Sequence, residues 1–191
     1  MAIDAVTAAL VELLKASLGN EAGLPASNFN IGFGAPNGGA ANADLVLFLY
    51  LITPTPELRN AERVRAFPSQ QDPPRLLEPA VPLDLHYLLT TGATAASSPQ
   101  GLSRLADGIR AIEAASPLVV PEAFQAAVWL SLLPMTTDEL SRIWGLFPNE
   151  NCRSSIAFRA SPVWIDPREP AIVGPRVIDH QADAGRILEP A

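Results

Sequence analysis

Residues 81–92 read VPLDLHYLLTTG, and this stretch limits the fold more than any other in the chain. Leu83, Leu85, Tyr87 and Leu89 recur at every second position, the period of a strand, which puts Asp84, His86, Leu88 and Thr90 on the other face. Asp84 and His86 therefore point the same way. Two such groups on one strand face suit a metal ion, or an imidazole oriented for base chemistry. They equally suit a hydrogen-bonded polar pair at a strand edge or subunit contact. The structural reading is preferred, because no further ligands accompany the pair.

A chain of 191 residues fits one domain with a real core. Its hydrophobic fraction of 48% and charged fraction of 17% describe a folded protein, although alanine supplies much of the apolar count. Of 13 basic residues only Lys15 is lysine, which together with abundant Ala and Pro reflects composition bias and not an arginine-rich binding surface. A net charge of −7 without a basic run argues against nucleic-acid or anionic-membrane partners, which require clustered positive charge. The single cysteine, Cys152, forms no internal disulfide, so the cytosol is the expected compartment. Asp4 and Glu12 and the lack of a basic leader are unlike a secretory signal. The apolar run 45–52 falls far short of the roughly 20 residues of a membrane-spanning helix.

Along the chain, Ile3, Val6, Leu10, Leu14 and Leu18 predict an amphipathic helix over residues 3–18, stopped by Gly19-Asn20. Residues 20–43 are rich in Gly, Asn, Ala and Pro and read as a long loop or a β-ribbon. Residues 44–52, DLVLFLYLI, predict a strand buried on both faces at the sheet centre. Residues 53–80 read as a surface excursion with a short helical turn, and residues 81–91 as the second main strand. Leu102, Leu105, Ile109 and Ile112 mark a helix over about 100–115. Residues 123–133 predict a third strand. Thr136 and Glu139 then form a capping box for a helix whose Leu140, Ile143, Trp144 and Phe147 make a core stripe. Residues 152–165 alternate Ile156 and Phe158 against Arg159 as a fourth strand, and 171–179 suit an edge strand or an arm on a neighbouring subunit. The expected fold is α/β (α+β): one mixed, mainly antiparallel sheet of four to five strands flanked by two to three amphipathic helices.

Candidate chemistry is sparse. GFGAPNGG at residues 32–39 lacks the Lys-Ser/Thr of a phosphate loop. Cys152 and His86 are joined by no motif, and His180 sits among polar neighbours. Two histidines and one cysteine at these spacings make no zinc site, so no cofactor or metal is expected. Glu57-Leu58-Arg59-Asn60 and Glu62-Arg63 read either as an interface anchored by charge pairing or as a solvated turn.

Five blocks then come together: MAIDAVTAALVELL at the start, ITPTPELRN after the first strand, VPLDLHYLLTTG, LSLLPMTTDELSRIWGLF and SIAFRASPVWID. In order and spacing they resemble the N-terminal domain of the cap, or tail-terminator, proteins of extracellular contractile injection systems, over most of the chain. The resemblance implies a structural and not an enzymatic role: a ring, usually of six subunits, that docks on the distal end of the tube and sheath, stops polymerisation and stabilises the particle. It aligns Leu58, Arg59 and Asn60 with the family's turn after the first strand, and Asp84, Leu85, His86 and Tyr87 with its strand signature, without catalytic roles.

The resemblance makes residues 1–170 the cap domain and residues 171–191 a Pro-rich C-terminal strand or arm. Some family members are longer, with an added C-terminal module, so a longer paired homologue joins self, tube and sheath among the implied partners. Glu57, Leu58, Arg59, Asn60, Arg63, Asp84 and His86 are the candidate interface residues. The protein is expected in the cytoplasm, assembled into the particle. The alternatives are a small α/β enzyme using Asp84 and His86, with Asp166, as acid/base groups or metal ligands, and a general adaptor domain.

Overall fold

The computed structural model describes residues 2–59, 80–96, 98–120 and 127–165. Helix α1 (Ala2–Ala22) forms where the apolar spacing places it: Val6, Leu10, Leu14 and Leu18 are at most 2% exposed, while Ile3 is partly buried at the start of the stripe. The Gly- and Asn-rich region after it holds a short strand, β1 (Ile31–Phe33), between two 3-10 turns at Ala26–Asn28 and Gly38–Asn42. Strand β1 runs parallel to β2 (Leu45–Pro54), so the region is not a ribbon folded on itself. Next come β3 (Val81–Thr91), α2 (Pro99–Ala114), β4 (Leu118–Val119), β5 (Ala127–Leu133), α3 (Thr137–Trp144) and β6 (Ser155–Ile165).

The six strands lie in the order β1-β2-β3-β6-β5-β4, all antiparallel except β1 with β2. The α+β class and the mixed, mainly antiparallel sheet agree with the sequence reading. The strands beyond the expected number are the edges β1 and β4, of three and two residues, too short to carry a readable alternation.

The sheet centre is β3 with β6, not β2. Strand β2 is buried through Leu45, Val46 and Leu47, where β1 pairs with it, and then emerges, leaving Leu51 and Ile52 45% and 44% exposed. The contact line of α2 differs from expectation in a similar way. Gly101, Leu105, Gly108 and Ile112 face inward, and Leu102, one residue and so about 100° off that line, is half exposed. At Gly108 an added Cβ would lie 3.1 Å from Leu89 Cδ2, 3.2 Å from Leu45 Cδ1 and 3.3 Å from Leu14 Cδ2, so α2 touches sheet and α1 together.

Helices α1 and α2 thus cover one face of the sheet, over a core that includes Leu83, Leu85, Tyr87, Leu89 and Phe158. Tyr87 stacks on Phe158, and its hydroxyl meets Thr7 Oγ1 at 2.8 Å, a buried polar contact tying α1 to β3. Burial pushes the Tyr87 phenol up to about 12, partly offset by the Thr7 hydrogen bond. Helix α3 begins with the predicted capping box and lies on the opposite face, where Phe147, just past its end, meets Phe48 edge-on at 5.5 Å. Trp144 and Phe147 are buried, while Leu140 and Ile143 are only half covered. Among the described residues no helix is long and apolar enough to cross a membrane. The turn expected beyond Arg59, the strand residues before Ala127 and the segment 171–191 lie outside the described residues.

Candidate functional site

On the face turned away from α1 and α2, the part beyond α3 carries a polar patch built by register. His86 pairs with Leu51 on one side and Arg159 on the other, and Arg159 pairs with Ser131. The next row holds Thr53, Asp84, Ser161 and Trp129. Register irregularities fall within this patch, between Leu49 and Leu51 opposite β3 and between Leu83 and Leu85 opposite β6. Such bulges re-aim side chains. Here the Tyr50 ring is tilted 6.1 Å from His86, and Ser161 reaches Asp84.

Asp84 and His86 share a face, as the alternation requires, yet they serve separate partners. Asp84, 8% exposed, accepts from Thr55 Oγ1 at 2.6 Å and Ser161 Oγ at 2.5 Å through one carboxylate oxygen. Its other oxygen lies 3.5 Å from Arg159 Nη1. His86 Nε2 meets Thr53 Oγ1 at 3.1 Å. Burial holds the imidazole below its ordinary pKa; Asp84 opposes this and Arg159 adds to it, which favours the neutral ring. A carboxylate already gripped by two hydroxyls and a guanidinium is a structural acceptor, poorly placed to take a substrate proton. Among the described residues no three His, Cys, Asp or Glu side chains gather to hold a metal. Asp166 and His180 lie outside the described residues.

Of the other candidate interface residues, Glu57, Leu58 and Arg59 lie next to the same patch. Pro56–Leu58 form a 3-10 turn directly after β2, with Glu57 and Arg59 exposed and Leu58 half buried. Thr55 fastens this turn to β3 twice, through its hydroxyl on Asp84 and its amide donating to Pro82 O at 2.9 Å. The turn and the strand signature, far apart in sequence, are thereby joined by a residue the sequence did not single out. Asn60, Glu62 and Arg63 lie outside the described residues. Sequence reasoning also missed Thr53, Ser161 and the 56%-exposed Trp129, since isolated hydroxyls and a tryptophan inside strand patterns carry no signal until the register is known.

Under α3 a second cation is fully enclosed. Arg153 donates to Thr91 O at 2.9 Å and to Pro36 O, pairs with Glu150 at 2.9 Å, and lies 5.2 Å from the Trp144 ring centre. It binds the Gly-rich loop to the sheet end through the Pro36 carbonyl, so that loop is held in place by a guanidinium. Cys152 beside it is an exposed free thiol. It precedes the first residues of β6, whereas His86 pairs four ladder positions further along at Arg159, so the two form no dyad.

This fold has known counterparts. The sheath/tube terminator of the PVC extracellular contractile injection system, in its extended state, matches with a TM-score of 0.66 and 21% identity over 100% of this chain and 66% of its own length. The tube-terminating cap of the anti-feeding prophage matches with a TM-score of 0.54 and 21% identity over 78% of this chain and 52% of its own. The chain thus spans less than two thirds of either protein, and at this identity the likeness establishes a shared fold. No curated protein matches the sequence. The family model for the Pvc16 N-terminal domain covers residues 5–178, and the chain belongs to that family.

Proposed function

We propose that this protein is a terminator, or cap, of a contractile injection system: a structural part that seats on the end of tube and sheath and halts their growth. The observation that carries the reading is the match of the whole chain, at a TM-score of 0.66, to a sheath/tube terminator. Family membership over residues 5–178 supports it. So does the polar patch, where the groups that would do chemistry are engaged with one another while Leu51 and Trp129 stand exposed beside them.

In this reading residues 1–170 form the cap domain and residues 171–191 an arm or strand against a neighbour. Six copies close into a ring by head-to-tail contacts. Glu57, Leu58, Arg59, Asn60, Arg63, Asp84 and His86 contribute to contacts with other copies, with tube and sheath subunits, or with a longer paired homologue. The protein acts without cofactor or catalysis, and assembles into the particle in the cytoplasm.

Electron microscopy of the protein mixed with its tube and sheath proteins tests the role. Rings on tube ends and a narrowed length distribution are expected, with His86→Ala leaving the fold intact. Strictly monomeric protein in native mass spectrometry, together with no retention on tube or sheath, would refute it.

A further inference from the structure

We infer that the patch around Arg159 and Trp129 is the docking surface for a carboxylate-bearing segment of a second copy of this chain. The inference rests on the cap reading and names the surface that its ring contact uses. The ion pairs of Lys15, Arg110, Arg142 and Arg153 close at 3.2 Å or less, each on a carboxylate of the same chain. Arg159 differs. Its Asp84 contact is 3.5 Å long, two hydroxyls occupy the other oxygen of that carboxylate, and its Nε is buried without a hydrogen-bond partner among the described residues. Its side chain is nevertheless 42% exposed, leaving guanidinium donors toward solvent.

Arg159 also sits in apolar company. Trp129, diagonal to it across β5 and β6, is 56% exposed, and Leu51, two strands away in the same row, is 45% exposed. A cation with spare donors beside an exposed tryptophan has the composition of an interface centre, where Trp and Arg are enriched. The bulged sheet supplies a rigid base beneath it.

Charge selects the occupant. The chain carries 20 acidic residues against 13 basic, so a second copy offers carboxylates in excess, and those of Glu12 and Asp138 are 71% exposed. A copy that presents an acidic segment to Arg159 and an apolar side chain to Trp129 makes a head-to-tail contact, the kind a closed ring requires.

Sedimentation velocity and native mass spectrometry over a range of protein concentrations, at low and high salt, test this in wild type, Arg159→Glu, Trp129→Ala and the exposed control Arg142→Glu. Far-UV circular dichroism verifies folding. The wild type should self-associate, more weakly in high salt. Arg159→Glu should weaken association by tenfold or more and Trp129→Ala by roughly tenfold, whereas Arg142→Glu, which leaves the Arg159 patch itself untouched and alters the charge beside Asp138, should change it by less than Arg159→Glu. Normal self-association of folded Arg159→Glu and Trp129→Ala would overturn the assignment while leaving the ring intact. Normal rings that no longer bind tube or sheath would overturn it too, by making one of those proteins the occupant. A wild type monomeric at every concentration would remove the ring itself along with this surface.

Discussion

Arg153 and Arg159 stand on the same run of chain, one just before β6 and one within it, and the fold treats their charges in opposite ways. Arg153 is 6% exposed and spends its donors on two backbone carbonyls and Glu150, so it fixes the Gly-rich loop, the end of β3 and α3 relative to one another. Arg159 lies where α3 no longer covers the sheet, and its carboxylate partner is largely engaged elsewhere. The contrast separates two uses of a cation: inside, bonded to two carbonyls and a carboxylate, it is a clamp; at the rim of a bare patch, loosely paired, it is available to a partner.

Three measurements would break or sharpen this contrast. The largest effect is expected from Arg153→Ala, which leaves two buried carbonyls and Glu150 without their donor and should lower unfolding free energy by about 3–5 kcal/mol in urea titrations. A loss below about 1 kcal/mol would mean that the clamp is dispensable.

The helix-covered face supplies the next. The folded protein holds the Tyr87 proton to about pH 12, whereas an unfolded chain releases it near 10. Between those values the unfolded state binds fewer protons, so stability falls as pH rises, by on the order of 2–3 kcal/mol, and the contribution is intact below pH 10. Thermal unfolding of Tyr87→Phe against wild type should show a shallower decline over that window; parallel curves would contradict the burial argument.

The smallest effects belong to the bare patch. Trp129→Ala should change stability by no more than about 0.5 kcal/mol, and Arg159→Ala by less than about 1 kcal/mol. A loss for Arg159→Ala as large as that for Arg153→Ala would make both arginines clamps and leave the patch without its proposed purpose.

Most of the architecture was readable before any coordinates. The apolar stripe of α1, the Thr136–Glu139 capping box of α3 and the alternation of β3 and β6 are local patterns, set by how 3.6 or two residues per period sort side chains onto faces, whereas of the expected α3 core stripe only Trp144 is buried within the helix. The errors fell where burial depends on neighbours. Strand β2 is as apolar at Leu51 and Ile52 as at Leu45 and Leu47, yet only its first three residues, Leu45–Leu47, pair with β1. Leu102 belongs to an apolar pattern, but Gly101 packs so closely on Ala95 that the helix presents its glycine side.

The candidate site shows the same division. That Asp84 and His86 share a face follows from their spacing alone, and so does the exposure of Arg159 opposite Phe158. The sequence by itself therefore determined the longer elements, the class of fold and, through five ordered blocks, the family, but not the short edge strands. Only the tertiary structure decided what each polar group does. Thr55, Asp84 and Ser161 lie on three segments, and whether a carboxylate is a base, a metal ligand or a saturated acceptor depends on which hydroxyls the register places within 3 Å of it. Hydrogen bonding is short-ranged in space and indifferent to separation along the chain, so that assignment exists only once the sheet is assembled.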